Sequence, residues 1–477
     1  MTDMKELEKL RPCGRLETYS TARHALGYYN NVALAATYIS SSPPQSLETS
    51  IYAALKQVIA KHVNLSATPV NEDKSYPDVY FARLPSIDLR TCVELRERKK
   101  PVPKDGEVDK ELDELFKEQH NRNFKDELGS KPFWRLAVLT SSTEKSTFTA
   151  VWVFHHALAD GASALLFHET FLGVLKDQAP ILEPSPIVQS PAIPLPPPFE
   201  EQHPMTISWP VFLNAVVKSL LPSVFDKRPA KLWTGNDISS ELTQAPGFHS
   251  RTIVFSADTT KRLAQLSRKQ GVTVTATLQA LLAASLFANI PANDFNKVAI
   301  AAPISMRPFL QNVPDDQMTN AIASYDFTHH RPTPATQNSG ALQYFSWPEV
   351  LAVKSSIQAA VAKHGHDNPI ALLKYVSNMH DFLTSNLGKP RMPSAELSNI
   401  GVYKPKSEGE WRIARMTFSQ CANPTAAALN VNVVTGGDGN ASLNVSWCEG
   451  AVEEGLVGKV MEGLEEGIVG LVEGGKE

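Results

Sequence analysis

Two histidines, an aspartate and a glycine stand together in one short segment of this 477-residue chain, which reads HHALADG from His155 to Gly161. The unperturbed pKa of imidazole lies near physiological pH, so a neutral histidine at this point can accept a proton from a hydroxyl or an amine. The carboxylate of Asp160 would either orient such a base directly or lock the loop through an arginine, and the sequence leaves both alternatives open. Gly161 allows a tight backbone path and leaves space for a substrate.

A metal site is the alternative use of histidine and carboxylate side chains. Adjacent residues at the end of a strand point to opposite sides, however, so His155 and His156 are poorly placed to share one ion. The same geometry argues against the pair His329 and His330. We therefore expect no metal site. Four other histidines are expected only to satisfy local hydrogen bonds: His24, His120, His168 and His249.

The elements around the motif predict that it connects a strand to a helix. Strand patterns cover residues 134–140 and 147–154, with a polar turn between them, and the second strand ends at the two histidines. A helical pattern follows over residues 162–176, with Ala164, Phe167, Phe171 and Leu175 on one face. Reactive groups can leave the core and face a cleft where a strand ends in a loop.

The rest of the chain continues this mixture of elements. We predict strands at 252–255, 297–302, 426–434 and 441–447, and helices at 258–270, 275–288 and 347–363. Glycines 436, 437 and 439 lie between the last two strands and are typical of a hairpin turn. The mixture indicates an α/β or α+β architecture.

A proline-rich stretch divides the chain into two parts of similar size. Seven prolines lie between residues 184 and 198, and proline lacks the amide donor and clashes with helical neighbours. We therefore predict an N-terminal part (1–180), an extended crossover linker (181–210) and a C-terminal part (211–477). A proline-rich ligand for a signalling module is the alternative for the linker.

Composition excludes some classes of function. The 46 Lys and Arg against 50 Asp and Glu give a formal charge of −4, which argues against a nucleic-acid binder. The N-terminus is charged where a secretion signal would be apolar, and the apolar stretch 278–290 is too short to span a bilayer. The four cysteines stand far apart without metal or disulfide spacing, as in a cytoplasmic protein with reduced thiols.

The last thirty residues place apolar side chains at intervals of four, which predicts one face of a terminal helix, although glycines weaken it. A helix that lies on a membrane would carry Lys and Arg on its polar face, whereas this one carries mainly Glu. We expect a terminal helix docked on the protein.

The segment 155–161 matches the HHxxxDG motif of the chloramphenicol acetyltransferase-like superfamily, which includes peptide-synthetase condensation domains and plant BAHD acyltransferases. Residues 132–136 (PFWRL) resemble the strand that precedes the motif in that superfamily. Residues 302–308 (APISMRP) resemble its Pro-x-x-x-Arg segment, and residues 398–401 (SNIG) resemble its Ser-Asn-hydrophobic-Gly segment.

Within the superfamily the chain resembles the fungal alcohol acetyltransferase branch. The similar segments are residues 15–17 (RLE), 22–32 (ARHALGYYNNV) and 418–420 (FSQ), with Trp447 and Gly450 near the end. These matches span nearly the whole chain in order. The plant signature Asp-Phe-Gly-Trp-Gly is absent from the sequence, which places the chain outside the BAHD branch.

The resemblance implies an α/β fold of two halves, each a mixed sheet flanked by helices, with a channel between them. It implies that His156 is the general base that deprotonates an acceptor hydroxyl, which attacks the thioester of acetyl-CoA. Neither a covalent acyl-enzyme nor a metal is then needed, and no cofactor is bound permanently. Acetyl-CoA or another acyl-CoA is the co-substrate.

The resemblance also assigns roles to residues around the base. Asp160 is chiefly structural and pairs with an arginine, for which Arg307, Arg15 and Arg23 are the candidates. His155 supports the base by packing or hydrogen bonding, and Gly161 gives access to the channel.

Four further residues are candidates for roles in the channel. Ser419 and Thr417 are candidate donors to the oxyanion, although Ser and Thr in strands usually satisfy local bonds. Tyr28 and Asn31 are candidates for the acceptor side, with ordinary core packing as the alternative.

The function implied is acyl transfer from a CoA thioester to a small-molecule alcohol by a monomer that binds no nucleic acid. One alternative keeps the fold but uses an amine acceptor or a carrier-bound donor. Another is a non-catalytic scaffold of the same fold. A peripheral contact with the endoplasmic reticulum or lipid droplets also stays open.

Overall fold

Two large β-sheets organise the chain. The computed structural model describes residues 4–42, 44, 46–176, 185–220, 229–242, 246–335, 337–405 and 409–474. The strands are β1 (Glu8–Pro12), β2 (Val32–Ser40), β3 (Ala67–Val70), β4 (Tyr80–Arg83), β5 (Ser86–Asp88), β6 (Val93–Glu97), β7 (Trp134–Thr140), β8 (Thr147–Phe154), β9 (Ile187–Gln189), β10 (Leu232–Trp233), β11 (Phe248–Phe255), β12 (Lys297–Ser305), β13 (Ile322–His330), β14 (Ala395–Val402), β15 (Trp411–Gln420), β16 (Leu429–Thr435) and β17 (Ala441–Cys448).

Helices cover the sheets and connect their strands. The α-helices are α1 (Arg15–Ala25), α2 (Leu47–Lys61), α3 (Lys110–His120), α4 (Gly161–Lys176), α5 (Phe199–Gln202), α6 (Trp209–Leu220), α7 (Ala257–Lys269), α8 (Val274–Asn289), α9 (Trp347–Ala362), α10 (Met379–Thr384) and α11 (Glu454–Gly474). Short 3-10 helices span Met4–Glu6, Val63–Ser66, Leu89–Thr91, Arg307–Phe309, Gly340–Tyr344 and Pro369–Tyr375.

The first sheet has the strand order β15-β2-β8-β7-β6, with a parallel pair only between β6 and β7. Its central strands β2 and β8 are buried along nearly their whole length, as expected of strands covered on both faces. The strand β15 comes from far down the chain, beyond the proline-rich stretch. The C-terminal part of the sequence therefore completes the sheet of the N-terminal part.

The second sheet is mixed and has the order β10-β12-β14-β16-β17-β11, with β13 paired to β12. The pairs β10–β12, β12–β14 and β14–β16 are parallel, and the remaining pairs are antiparallel. Helix α8 is buried against this sheet, in agreement with the buried helix predicted for this apolar stretch. Two hydrophobic cores, one for each sheet, result from this arrangement.

The terminal helix α11 is docked, as the sequence predicts. Its apolar face, including Val460, Leu464 and Ile468, is buried in the core of the second sheet. Two of the glycines that weaken the helical pattern lie at the contact with α8. A Cβ at Gly467 would stand 2.7 Å from Leu281 Cδ1, and one at Gly463 would stand 3.1 Å from Ser285 Oγ. These glycines allow the two helices to approach closely.

Predicted and observed bounds agree closely around the motif. Strands β7 and β8 have the predicted limits, and α4 begins one residue earlier than predicted. Of the predicted linker, residues 181–184 lie outside the described residues. The rest is mostly extended, but it contains the edge strand β9, paired with β5, and the short helix α5. The helix α6 starts just before the predicted end of the linker, at Trp209, with Pro210 in its first turn, where proline is tolerated.

Within the described residues, no single helix is long and apolar enough to cross a membrane. Helices α7 and α8 pass that test only when they are counted together, across a bend of 99°.

Candidate active site

The predicted motif lies at the edge of a cavity between the two sheets. Strand β8 ends at Phe154 and helix α4 begins at Gly161, so the residues between them form the turn at the end of the strand. The cavity has a volume of about 300 Å³. Its lining from the first part of the chain includes His156, Tyr29 and Arg23, and its lining from the second sheet includes Glu396 and Ser398.

The side chain of His156 lines this cavity. Its backbone carbonyl accepts a hydrogen bond of 2.8 Å from Asn320 Nδ2, which ties the turn to the second part of the chain. Its Nδ1 is buried and has no hydrogen-bond partner among the described residues, so Nε2 is the nitrogen left to the cavity. Burial, together with the charge of Arg23, lowers the pKa of His156 to about 4. The imidazole is therefore neutral at physiological pH.

Asp160 pairs with Arg307 and makes no hydrogen bond to the base. Its Oδ1 lies 2.9 Å from Arg307 Nη2 and also accepts hydrogen bonds from the backbone amide and hydroxyl of Ser163. Its Oδ2 accepts from the backbone amide of Ala321 at 3.2 Å. The carboxylate thus joins the start of α4 to the segment before β13.

The other two candidate arginines have different partners. The guanidinium of Arg15 lies 3.8 Å from the centroid of the Tyr76 ring. The guanidinium of Arg23 lies 4.3 Å from the Tyr19 ring and 4.4 Å from the Tyr29 ring, in the cavity wall. Of the three alternatives, the structure selects Arg307.

His155 belongs to a buried cluster behind the base, which we call the His–Glu–His cluster (His24, Glu72 and His155). Glu72 Oε2 lies 2.7 Å from His24 Nδ1, and its Oε1 lies 3.1 Å from His155 Nε2. Burial alone would raise the pKa of Glu72, but the two histidines lower it to about 2. Burial lowers the pKa of His155 to about 4, against the opposing effect of Glu72.

The three ligand atoms of this cluster lie within 4.8 Å of one another, so its suitability for a metal ion needs a test. The far nitrogen of each ring accepts a backbone amide: Phe124 N donates to His24 Nε2 at 3.1 Å, and Ala157 N donates to His155 Nδ1 at 3.0 Å. A neutral imidazole that binds a metal carries its proton on that far nitrogen. The hydrogen bonds therefore fit protons directed at Glu72 and do not fit a metal at this position.

The remaining histidines expected to satisfy local hydrogen bonds do so. His120 contacts Asn31 and Ser419, His168 contacts Tyr38 and the carbonyl of Leu34, and His249 contacts Glu449. His24 does so within the cluster described above.

Ser419 and Thr417, the expected oxyanion donors, are not among the residues that line the His156 cavity. Ser419 Oγ donates to Asn444 Oδ1 at 2.7 Å, between the two sheets. Thr417 lines a second cavity of about 350 Å³ at another position on the strands. Side chains alternate along a strand, so Phe418 and Gln420 are the residues of β15 that line the His156 cavity.

Tyr28 and Asn31 do not line the cavity either, and the alternative of core packing applies to both. Tyr28 is buried in a separate apolar cluster with Leu16. Asn31 Nδ2 donates a hydrogen bond of 2.7 Å to the carbonyl of Gln119, and Asn31 Oδ1 is hydrogen-bonded to His120 Nδ1. The neighbouring Tyr29 lines the cavity instead, and its hydroxyl donates to Gln420 Oε1 at 2.9 Å.

Gly161 is needed because the start of α4 comes close to the second part of the chain. A Cβ on this residue would stand 2.5 Å from Ile400 Cγ2 and 3.4 Å from Phe418 Cζ, and all three residues line the cavity. The resemblance implies that the missing side chain at Gly161 leaves room for the substrate. The same room is needed for Ile400 and Phe418 to pack against the start of α4.

Sequence reasoning missed several cavity residues, among them Arg23 as a wall residue, Tyr29, Asn320 and Glu396. Two features of the sequence could have indicated some of these residues. Arg23 and Tyr29 lie within the run of residues 22–32 that resembles the fungal branch, and Glu396 stands two positions before Ser398, on the same face of β14.

Comparison with known proteins identifies the family of this chain. A family model described as alcohol acetyltransferase matches residues 12–462. The chain belongs to the alcohol acetyltransferase family. This family member is 34% identical over 470 residues to the probable alcohol acetyltransferase crmB of Aspergillus fumigatus, covering 94% of this chain and 97% of that protein. It is 24% identical to the probable alcohol acetyltransferase FCK4 of Fusarium pseudograminearum, covering 97% and 95% of the two chains.

Solved structures with the same fold include the TRI3 trichothecene 15-O-acetyltransferase from Fusarium sporotrichioides. It aligns with a TM-score of 0.69 and 12% identity over 97% of this chain and 95% of that one. The first condensation domain of the calcium-dependent antibiotic synthetase aligns with a TM-score of 0.60 and 12% identity over 98% and 97%. The alcohol acetyltransferase therefore has the two-lobed chloramphenicol acetyltransferase-like fold and is an acyltransferase, as the resemblance implied.

Proposed function

We propose that this chain transfers the acetyl group of acetyl-CoA to the hydroxyl of a small-molecule alcohol, with His156 as the general base. The observation that carries the proposal is the neutral imidazole of His156, which presents its Nε2 to the cavity between the two sheets. A neutral imidazole can accept the hydroxyl proton at physiological pH.

In the proposed reaction, Nε2 of His156 takes the proton of the acceptor hydroxyl while the oxygen attacks the thioester carbonyl carbon. The tetrahedral intermediate then collapses, the bond to sulfur breaks, and the thiolate takes the proton from the imidazolium. The products are the acetate ester and free CoA, and no covalent acyl-enzyme forms. The low pKa of His156 keeps the imidazole neutral, and so able to accept a proton, before the acceptor binds.

The neighbouring residues support this role by holding the turn. Asn320 fixes the backbone carbonyl of His156, and the ion pair of Asp160 with Arg307 anchors the loop to the second part of the chain. We propose that these are positioning residues, because neither Asp160 nor Arg307 makes a hydrogen bond to the imidazole.

The test is CoA release from acetyl-CoA across a panel of alcohols and amines, with His156→Ala beside the unaltered protein. We expect at least about a hundredfold loss of kcat, in line with general-base contributions. His249→Ala on β11, at a half-buried contact with Glu449, is the matched control and should leave turnover as it is. Retained turnover in His156→Ala would show that another group is the base.

The same panel separates the rival functions. Turnover of amines in preference to alcohols would favour N-acylation, and turnover only with a carrier-bound thioester would favour a condensation-type enzyme. If CoA is released with none of the acceptors, the interpretation as a non-catalytic scaffold gains support.

We also propose a peripheral contact with lipid at the cytoplasmic face of a membrane, through helix α6. Trp209, Leu213, Val217 and Leu220 follow one another along this helix and are 75%, 55%, 43% and 73% exposed. Phe212 lies beside this row, with its ring 6.0 Å from that of Trp209 and 4.8 Å from that of Tyr375. Apolar and aromatic side chains beside lysine are typical of helices that lie in the interface of anionic lipid, and Lys218 is exposed on this helix.

A further inference from the structure

The wall of the His156 cavity contains a carboxylate that none of the mechanism above uses. Glu396 lies on β14, and it pairs in register with Ala301 of β12 and Asn430 of β16. All three residues line the cavity, as does Ser398 two positions further along β14. The alternation of side chains along the strand therefore directs Glu396 toward the cavity that holds the base.

Among the described residues, no hydrogen bond or ion pair reaches the carboxylate of Glu396. Burial raises its pKa, and the positive charge of Arg23 opposes that rise. The residue is half-buried and lines the cavity, so a ligand that supplies a hydrogen-bond donor can reach its oxygens.

Arg23 does not neutralise Glu396 by direct contact. Its guanidinium is held between the rings of Tyr19 and Tyr29, its Nη2 makes a long bond of 3.4 Å to Ser20 Oγ, and its Nε has no partner among the described residues. The cavity therefore presents a guanidinium group and a carboxylate group on different walls.

The carboxylate fits the acceptor better than the acyl donor. The acetyl thioester, the part of acetyl-CoA that must reach His156, has no hydrogen-bond donor for a carboxylate. An alcohol with a second polar group can supply such a donor.

We propose that Glu396 recognises the acceptor: the alcohol carries, besides the hydroxyl that is acylated, a second hydrogen-bond donor (a hydroxyl or an ammonium group) that pairs with this carboxylate. The inference rests on the proposed function of the cavity, and it narrows the substrate class from alcohols in general to polyols and amino alcohols. Glu396 is then a determinant of specificity, whereas His156 carries the chemistry.

The experiment uses three acceptors with the same carbon chain: octanol, the octanediol with hydroxyls at both ends, and the amino-octanol with the amine at the far end. Binding to the full chain is measured by titration calorimetry, and kcat/KM is measured by CoA release. We expect the protein to prefer at least one of the two bifunctional acceptors over octanol by about tenfold or more, the effect of one well-formed hydrogen bond to a charged group.

Two variants identify which donor is recognised. Glu396→Leu should abolish the preference for either bifunctional acceptor. Glu396→Gln keeps the size and a hydrogen-bonding oxygen, so it should retain a preference for the diol but lose one for the amino alcohol. The exposed Glu462 on α11 provides the matched control, and Glu462→Gln should keep the acceptor ratios of the unaltered protein.

Acceptor ratios that stay unchanged in Glu396→Leu would overturn the proposal, as would a rise in the KM for acetyl-CoA without any change in those ratios. Thermal unfolding of each variant shows whether the chain is folded. The ratios of the binding constants from calorimetry test the role of Glu396 even if no alcohol is turned over. Absence of turnover would contradict the proposed function, whereas the binding ratios would still support or overturn recognition by Glu396.

Discussion

Replacing Gly161 by alanine tests whether the start of α4 must approach the second part of the chain as closely as described. The new Cβ would stand 2.5 Å from Ile400 Cγ2, whereas carbon atoms in contact are about 3.5–4.0 Å apart. The two groups must therefore separate by about 1 Å or more. Overpacking of this kind typically costs about 1–3 kcal/mol, and the gain in helix propensity from glycine to alanine is at most about 1 kcal/mol.

We therefore expect Gly161→Ala to lower the free energy of unfolding by about 1–2 kcal/mol. We also expect it to lower kcat/KM, because Ile400 and Phe418 line the cavity into which the strain is transmitted. Gly173→Ala on the same helix is the matched control, since its Cβ would meet nothing within 4 Å. That variant should be unchanged or more stable by up to about 1 kcal/mol.

The assays are urea unfolding and CoA release, carried out on both variants and on the double variant Gly161→Ala with Ile400→Ala. Ile400→Ala removes the Cγ2 atom that the new methyl group meets, so the double variant should be destabilised by less than the sum of the single changes. Equal stability and activity of Gly161→Ala and Gly173→Ala would refute the close approach, and additive effects in the double variant would refute Ile400 as its cause.

The ion pair makes a second prediction: Arg307→Met should cost about 3 kcal/mol because it leaves Asp160 buried without its cation, and adding Asp160→Asn should recover part of that loss. Unfolding of the four proteins measures the coupling, and additive effects would contradict it. The pKa of His156 is about 4 in the folded chain against 6.5 for an ordinary histidine, and burial lowers the pKa values of His62, His120, His155 and His168 in the same way, so between these values the unfolded chain binds more protons and stability falls as pH is lowered. The urea midpoint of His156→Ala should fall less steeply from pH 6.5 to pH 4 than that of the unaltered protein, and an equal fall would show that this histidine is not buried as described. Leu213→Ser with Val217→Ser on α6 should reduce sedimentation with vesicles that contain anionic lipid; undiminished binding would locate the lipid contact elsewhere.

Local patterns in the sequence were sufficient for the elements that carry the motif. Strands β7 and β8 have the predicted limits because their apolar and β-branched residues are bounded by a polar turn and by the motif itself. Helix α4 follows because its apolar residues recur at helical spacing. The position of His156 at the end of a buried strand could therefore be predicted before any tertiary contact was known.

The partner of Asp160 could not be predicted in this way. Arg307 lies 147 residues away in sequence, and no spacing rule connects the two residues. The pair forms because the start of α4 and the segment after β12 meet between the two sheets. Resemblance reduced the choice to three arginines, and the fold selected one of them.

The residues of β15 show most clearly what only the tertiary structure decides. The strands predicted from the sequence do not include residues 411–420, where polar and apolar residues are mixed, and residues 413–420 are buried on both faces. Alternation between apolar and polar residues therefore gives no indication of which face meets the base, and Ser419 and Thr417 were as plausible as Phe418 and Gln420. The choice depends on the register of β15 with β2, where Gln420 pairs with Val32, and that register is set by the packing of two sheets whose strands come from distant parts of the chain.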